Sequence, residues 1–271
     1  MKLCLLQPLA LGPQAPAQIG IVRVNIAPHP AEIEGDTAYE IEELLSERWN
    51  RTGQSWPLKE VRLLPPVAPS KIVCVGRNYM GHIKELENPV PPEPLIFLKP
   101  PSSIIGPEEP ILLPSISEKV HHEGELAVVI GRTCSQLREE DAIEPYVLGY
   151  TCLNDVTARD LQNKDVQFTR AKGFDTFCPI GPLIETSLDL AATRVETFVN
   201  GARRQSGAVT DMIFPVDVII RFVSRMMTLL PGDVIATGTP AGVGPLVAGD
   251  VVEIVVSGVG TLRNPVANRE P

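Results

Sequence analysis

The chain has 271 residues, 44% of them hydrophobic, which is enough apolar material for one large buried core. With 24 Lys and Arg against 33 Asp and Glu, its formal charge is −9. This argues against nucleic acid or an anionic membrane as the main partner, because both need clustered positive charge, although a local basic pocket for a small anion is compatible with it. The five cysteines are odd in number and form no C-x-x-C pair, so we expect no disulfide framework and a cytoplasmic location.

The first 68 residues differ in sequence pattern from the rest and predict a small N-terminal domain, which ends in a proline-rich connector at 64–69. Residues 3–6 predict an initial strand rather than a secretory signal, because polar and proline residues break the apolar run. Alternation over 21–26 predicts a strand, and apolar residues at helical spacing over 36–50 predict a helix. No stretch approaches the ~18 continuous apolar residues that a membrane span needs.

From residue 69 to 271 the sequence predicts a second, larger domain built mainly of strands. Short runs rich in Val and Ile are separated by Gly and Pro, which favours strands at 71–75, 95–98, 125–130, 146–153, 195–199, 233–237 and 250–256. Helical spacing favours helices at 81–87, 158–164 and 215–227. We therefore expect a β-rich α+β fold with mixed sheets rather than a βαβ repeat.

Two glutamates stand at the head of one predicted strand. Glu123 and Glu125 face the same side because strand side chains alternate, and the apolar Ala127 and Val129 follow on that side. Two carboxylates at the head of an apolar strand repel each other and lose hydration, and a cation would remove both costs. The alternative from the pair alone is a solvated strand start.

Other polar residues follow the predicted strands. Asp155 comes between a strand and a helix, where it could cap the helix, and Arg159 and Gln162 share a face of that helix. His82 and Glu85 are neighbours on a predicted helix, which suits an oriented general base but also an ordinary surface pair. These side chains together suggest a site for an anionic, metal-bound substrate.

Two further segments are less specific. Lys172 lies in a predicted loop beside Gly173, where a lone lysine is usually exposed. Residues 236–244 follow a strand and are rich in Gly and Thr, so their backbone and hydroxyls could approach carboxylate oxygens. This segment has neither the P-loop ending nor the glycine order of a dinucleotide site, and it could also be a plain tight turn.

Six motifs in fixed order resemble the fumarylacetoacetate hydrolase family over about residues 70–266. They are Gly76-Arg77-Asn78-Tyr79, Phe97-Leu98-Lys99-Pro100, His122-Glu123-Gly124-Glu125, Asn154-Asp155-Val156-Thr157-Ala158-Arg159-Asp160, Lys172-Gly173-Phe174-Asp175 and Thr237-Gly238-Thr239-Pro240-Ala241-Gly242-Val243-Gly244. Each motif alone is weak, whereas all six in this order are specific. The resemblance implies the family's own mixed β fold, a small N-terminal domain and a homodimer.

The resemblance also implies a set of site residues. It implies Mg²⁺ or Mn²⁺ on Glu123, Glu125 and Asp155, and an all-oxygen ligand set agrees with that choice on chemical grounds. The implied catalytic residues are Lys172 and the dyad of His82 and Glu85, which activates water from a lid-like segment. The implied substrate-binding residues are Arg77, Tyr79, Arg159, Gln162, Gly238 and Thr239. The larger eponymous hydrolases have an extra Asp ligand near where Arg77 falls, so a substrate other than fumarylacetoacetate is expected.

The expected activity is that of a metal-dependent hydrolase or lyase acting on 2-oxo (β-diketo) acids through a metal-bound enolate. Hydrolysis of acylpyruvates and decarboxylation of oxaloacetate both pass through that step. An isomerase or tautomerase of the 5-carboxymethyl-2-hydroxymuconate or 2-hydroxyhepta-2,4-diene-1,7-dioate type is the alternative, because proton transfer alone would suffice. A second alternative is a non-catalytic binding protein on the same fold. A small 2-oxo acid is the expected partner, and neither nucleic acid nor a membrane is.

Overall fold

The computed structural model describes residues 1–9, 28–46 and 48–270. Its strands are, in chain order, β1 (Lys2–Pro8), β2 (His29–Glu34), β3 (Thr37–Ile41), β4 (Arg51–Pro57), β5 (Val61–Leu63), β6 (Ile72–Gly76), β7 (Leu95–Lys99), β8 (Ile104–Ile105), β9 (Ile111–Leu113), β10 (Val120–His122), β11 (Gly124–Ile130), β12 (Val147–Asn154), β13 (Thr157–Ala158), β14 (Cys178–Glu185), β15 (Arg194–Val199), β16 (Ala202–Ala208), β17 (Val234–Ala236), β18 (Gly244–Pro245), β19 (Val251–Val256) and β20 (Gly260–Asn268). The helices are α1 (Met80–Glu85), α2 (Arg159–Lys164), α3 (Thr169–Lys172) and α4 (Val216–Met226). In the described part of the chain, no helix is long and apolar enough to cross a membrane.

The strands form three sheets, which confirms the predicted β-rich fold. The largest runs β4-β3-β2-β1-β14-β12-β11-β17-β6-β7, with β5 beside β1 and β8 beside β14. A sheet of three strands runs β13-β10-β18, and one of five strands runs β16-β15-β19-β20-β9. Pairing is mostly antiparallel, while β14 with β8, β17 with β6 and β20 with β9 are parallel. The fold is therefore a mixed β assembly with few helices.

Burial separates the central strands from the outer ones. Every residue of β11 is buried, because the strand is covered on both faces. That explains its near-continuous apolar sequence after Glu125. By contrast, β19 alternates buried and half-buried residues, as expected for a strand with one face toward solvent.

The N-terminal strands extend the main sheet. β1 pairs with β14 through Leu3 and Ile184, so the predicted initial strand is confirmed and joins the strands that follow residue 69. The helix expected over 36–50 is wrong, because that span contains β3 and turns. Gly35, with φ of +58°, closes a tight hairpin between β2 and β3, which commits the following residues to strand pairing. Residue 47 of that span and the strand expected over 21–26 lie outside the described residues.

The central strands bring their polar ends to one edge of the main sheet. The antiparallel pairing of Gly124 with Asn154 places the beginning of β11 beside the end of β12. On the other side of β11, Ala127 pairs with Ala236, so the end of β17 approaches the same edge. β6 runs parallel to β17 with Cys74 opposite Ala236, and its end arrives there too. The sequence motifs that follow these strands therefore meet.

Candidate active site and metal centre

Three carboxylates converge where β11 begins and β12 ends. Glu123, Glu125 and Asp155 each present an oxygen within 4.8 Å of the others. All three side chains are buried, with exposures of 4%, 2% and 1%. The alternative of a solvated strand start is therefore wrong for this pair of glutamates. Asp155 does not cap α2 either, because the N-cap residue is Ala158 and no side chain caps that helix.

Three buried cations contact two of these carboxylates. Lys172 Nζ donates to Glu123 Oε2 at 2.8 Å and also to Asp155. Lys99 Nζ donates to Asp155 Oδ1 at 2.7 Å, and the Arg159 guanidinium donates to Glu123. Burial opposes the charge of Glu123, but Lys172 and Arg159 outweigh it and hold the pKa of that carboxyl well below its usual range. Burial likewise opposes the charge of Lys172, but the two carboxylates raise the pKa of its ammonium.

Glu125 has a different environment from the other two carboxylates. Its Oε2 accepts the Gly238 N–H at 2.7 Å, and it forms no ion pair with any residue in the described ranges. Burial and the charges of Asp155 and Glu123 raise the pKa of Glu125 well above its usual value. A divalent cation among these oxygens would offset both the burial of Glu125 and its repulsion by the neighbouring carboxylates. Hard cations prefer such an all-oxygen set. The residues present therefore fit Mg²⁺ or Mn²⁺.

A cavity of about 330 Å³ opens over the carboxylates. Most of the predicted site residues line it, namely Arg77, His82, Glu123, Glu125, Asp155, Arg159, Gln162, Lys172 and Thr239. Lys119 and His121 also line it, although the sequence had not assigned them to the site. Burial, followed by the nearby Arg159 and Lys119, lowers the pKa of His121 to about 4, so its imidazole is neutral at pH 7.

The predicted dyad lies between the cavity and the glycine-rich loop. His82 on α1 is 6% exposed, so it is not the surface residue that the alternative required. Its Nδ1 lies 3.4 Å from Glu85 Oε2, a long contact of the kind that often tightens when substrate binds. Both oxygens of Glu85 accept the Gly242 N–H at 3.1 Å. Glu85 therefore ties α1 to the loop and does not itself line the cavity.

The glycine-rich loop supports the carboxylates from behind. Gly238 has φ of +99°, and a Cβ there would lie 2.7 Å from the Asn78 Cβ, so only glycine fits. The Thr239 hydroxyl donates to Gly124 O at 2.8 Å and accepts from Gln205 Nε2 at 2.7 Å. The hydroxyl proton of Thr239 is thus used in a hydrogen bond to the backbone, so this hydroxyl can only accept a hydrogen bond from a ligand.

The remaining predicted substrate-binding residues differ in placement. Gln162 accepts a hydrogen bond from Arg159, as their spacing on α2 predicted. Tyr79 is 3% exposed, does not line the cavity, and its hydroxyl has no hydrogen-bond partner in the described part of the chain. A direct contact between Tyr79 and substrate stays a prediction.

Comparison with known proteins identifies the family. The model for the C-terminal domain of fumarylacetoacetate (FAA) hydrolase matches residues 71–267. The chain belongs to the fumarylacetoacetate hydrolase family. A second model, for the Rv2993c-like N-terminal domain, matches residues 15–66 and confirms the small N-terminal domain. The boundary between residues 68 and 69 stays a prediction.

Several relatives in this family are similar over most of the chain. Protein Rv2993c of Mycobacterium tuberculosis is 53% identical over 221 residues, covering 80% of this chain and 83% of that protein. The oxaloacetate tautomerase YisK of Bacillus subtilis is 41% identical and covers 78% of this chain and 75% of its own.

Solved structures of the family share the fold. The 5-carboxymethyl-2-hydroxymuconate delta-isomerase from Mycobacterium smegmatis superposes with a TM-score of 0.87 at 45% identity, covering 99% of this chain and all of that one. The maleylpyruvate hydrolase from Sphingobium sp. SYK-6, in complex with manganese(II) and pyruvate, has a TM-score of 0.78 at 31% identity, and both chains are fully covered.

Sequence reasoning missed several residues at this site. Lys99 was noted only as part of the Phe97-Leu98-Lys99-Pro100 motif, yet it is 1% exposed and donates to Asp155. Gln205 on β16 lies far from the other motifs in sequence, yet it is 1% exposed and accepts the Gly124 N–H at 3.0 Å. His121 could have been found, since it stands two residues before Glu123 and shares its face on a strand.

Proposed function

We propose that the protein is a divalent-metal-dependent enzyme that acts on a small 2-oxo acid through an enolate and breaks a C–C bond. The reaction is the hydrolysis of an acylpyruvate or the decarboxylation of oxaloacetate. The observation that carries the proposal is the cluster of Glu123, Glu125 and Asp155, buried within 4.8 Å of one another beneath an open cavity. When bound, the cation would supply a Lewis acid for the oxygens of the 2-oxo acid.

Lys172 contributes a fixed positive charge rather than a base. Its ammonium donates to Glu123, Asp155 and the Thr157 hydroxyl, so its three N–H groups are all engaged. The neighbouring carboxylates raise its pKa, which keeps it protonated. A buried charge beside the cavity stabilises negative charge developing on an enolate oxygen. Arg159 adds a second such charge from α2.

His82 is the group best placed to move a proton. It lines the cavity, and Glu85 contacts its Nδ1, which leaves Nε2 to accept a proton from water. With an acylpyruvate, the water would attack the distal carbonyl and the C–C bond would break to release pyruvate enolate. With oxaloacetate, loss of CO₂ would give the same enolate without any nucleophile.

Tautomerisation of a 2-oxo acid is the second candidate function. The relative from Bacillus subtilis is named an oxaloacetate tautomerase, and the neighbour from Mycobacterium smegmatis is described as an isomerase. Enol–keto exchange passes through the enolate of the intact 2-oxo acid, with one proton leaving the enol oxygen and one delivered to carbon, and His82 could carry a proton in this exchange without an attacking water. The manganese and pyruvate in the maleylpyruvate hydrolase support the first candidate.

The two candidates are separated by their products. Purified protein with Mg²⁺ or Mn²⁺ would be assayed with acetylpyruvate, oxaloacetate and a hydroxymuconate, following both pyruvate release and the ultraviolet absorbance of the enol. C–C cleavage predicts pyruvate from at least one of the first two substrates. Loss of enol absorbance without pyruvate would overturn that ordering in favour of tautomerisation, and full activity in EDTA would contradict the metal.

Glu125→Gln is the sharpest variant for the metal claim. Glu123→Ala would leave Arg159 without an ion-pair partner and remove one of the two carboxylates that contact Lys172, which could unfold the site, whereas Glu125 pairs with no cation in the described residues. We expect Glu125→Gln to fold and to lose metal affinity by more than the ~10–100-fold that removal of an outer partner costs. Glu253→Gln on β19 is the matched control, and calorimetric titration with Mn²⁺ is the measurement. Unchanged affinity in Glu125→Gln would refute the ligand set.

We also propose a homodimer, which light scattering on the purified protein would test. A monomer at micromolar concentration would contradict it.

A further inference from the structure

The extended chain that runs through β10 into β11 carries a row of polar side chains on one face. Lys119, His121, Glu123 and Glu125 stand at alternate positions, and all four line the same cavity. His122, between them, lines a separate cavity on the opposite side. The alternation of extended chain through β10, Glu123 and the start of β11 thus produces a row that leads from the buried carboxylates to a basic outer end, where Lys119, just before β10, is exposed to solvent.

His121 is unusual in this row because it lacks partners. It is 8% exposed, and neither ring nitrogen has a hydrogen-bond partner in the described part of the chain. A buried polar group without a partner costs free energy, so such a group calls for a ligand that completes it. Because His121 lines the cavity, a ligand there can supply the missing partner.

The charges of the cavity wall point to the kind of ligand. Four cationic residues line it against three carboxylates, although the chain as a whole carries −9. Arg159 and Lys172 are paired with carboxylates, whereas Arg77 and Lys119 form no ion pair with any residue that the structure describes. A divalent cation would add to this excess. The wall therefore suits a ligand with more than one negative charge.

We infer that His121 and Lys119 form a subsite for a second carboxylate of the substrate, distal to its 2-oxo acid end. This inference rests on the proposed function, since the carboxylate cluster would hold the other end. Two residues along a strand span roughly 6–7 Å, which matches the length of a short dicarboxylate lying along the row from Glu123. The subsite selects dicarboxylic 2-oxo acids over monocarboxylic ones.

The test compares two substrates in one variant. His121→Phe keeps a planar ring and removes both nitrogens, and because neither nitrogen has a protein partner, the melting temperature should not fall. The ratio of KM for oxaloacetate to KM for acetylpyruvate should rise about tenfold, the usual effect of losing one hydrogen bond to a charged group. Lys119→Gln should raise it a few-fold, and Lys59→Gln, on an exposed turn, should leave it unchanged. An equal effect on both substrates, or a fall in melting temperature, would overturn the subsite.

A binding measurement separates failure of the subsite from failure of the proposed function. With Mg²⁺ present, calorimetry would compare 2-oxoglutarate with 2-oxopentanoate, which has the same length but lacks the distal carboxylate. We expect the intact protein to bind 2-oxoglutarate more tightly than 2-oxopentanoate. In His121→Phe the difference between these two affinities should become smaller. Equal affinities in the intact protein would overturn the subsite whether or not any substrate is turned over. If the protein binds 2-oxoglutarate more tightly than 2-oxopentanoate but turns over none of the substrates, the proposed reaction is contradicted and the subsite is not.

Discussion

Gly124 separates Glu123 and Glu125 of the carboxylate cluster, and enlarging it should displace both glutamates. A Cβ at Gly124 would lie 2.2 Å from Thr197 Oγ1 and 3.0 Å from the Ile254 Cδ1. Thr197 lies on β15 and is fully buried, so it has no room to move aside. In Gly124→Ala the beginning of β11 must therefore shift away from the five-stranded sheet, and Glu123 and Glu125 shift with it.

The magnitude follows from the size of this overlap. Inserting one methyl group into a packed interior costs about 1–3 kcal/mol in the free energy of unfolding. A displacement of about 1 Å at a catalytic site costs about 10²-fold in rate. We therefore expect Gly124→Ala to lower the melting temperature moderately, and to lower Mn²⁺ affinity and kcat much more.

A second substitution tests whether the contact with Thr197 is the cause. Thr197→Ala removes Oγ1 and, by itself, loses a buried hydrogen bond of 2.8 Å to Gln205, worth about 1 kcal/mol. In the double variant the new methyl group would occupy the space that Oγ1 leaves, so Mn²⁺ affinity should recover in part. Thermal melts and calorimetry on all four proteins give the coupling energy. Additivity of the two substitutions within about 0.5 kcal/mol would refute the steric argument.

Two further predictions concern residues that support the site. Asp233 accepts hydrogen bonds from Ser70 and Lys71, and these outweigh its burial and lower its pKa. The pKa of Asp233 in the folded state lies below the unfolded value of about 3.9, so the ionised carboxylate contributes its full stabilisation above that pH. This stabilisation is lost as the pH falls further. The melting-temperature difference between Asp233→Asn and the parent should therefore shrink in acid, and a constant difference would contradict this. Gln205→Leu would leave the Gly124 N–H and the Pro240 carbonyl buried without partners, at about 1–3 kcal/mol each, so an unchanged melting temperature would show that Gln205 does not hold the loop against β11.

The central strands and helices were predictable because their local signals agree with their environment. Strands β6, β7, β11 and β12 begin and end within two residues of the predicted bounds. Short continuous apolar runs flanked by Gly or Pro can form few structures other than a buried strand. The same holds for α4, whose apolar spacing matches its buried residues Ile219, Ile220 and Val223. Over 36–50, Ile41 ends a strand and Leu44 lies in a turn, yet both are buried and mimic a helical spacing.

The carboxylate cluster was predictable, whereas the buried side chains that support it were only partly so. Glu123 directly precedes β11 and Glu125 lies in it, so the two share the side-chain alternation of extended chain, a local pattern that sequence displays directly. Lys99 reaches Asp155 across 56 residues, and Gln205 reaches Gly124 across 81, which only the strand order creates. Tertiary pairing of this kind leaves no trace in the neighbouring sequence.

The charges of the site explain how so many ionised groups can be buried together. When all three carboxylates are ionised, as they would be around a bound cation, the charges of Glu123, Glu125 and Asp155 balance those of Lys99, Lys172 and Arg159, so the cluster of side chains sums to zero. This neutrality limits the desolvation cost of burying the cluster. Without a cation, the raised pKa of Glu125 favours its neutral form. A divalent cation would bring the cluster to +2, and a dicarboxylic 2-oxo acid would return it to zero. Binding of the cation therefore favours binding of a dianion, and by linkage the dianion must strengthen binding of the cation to the same degree.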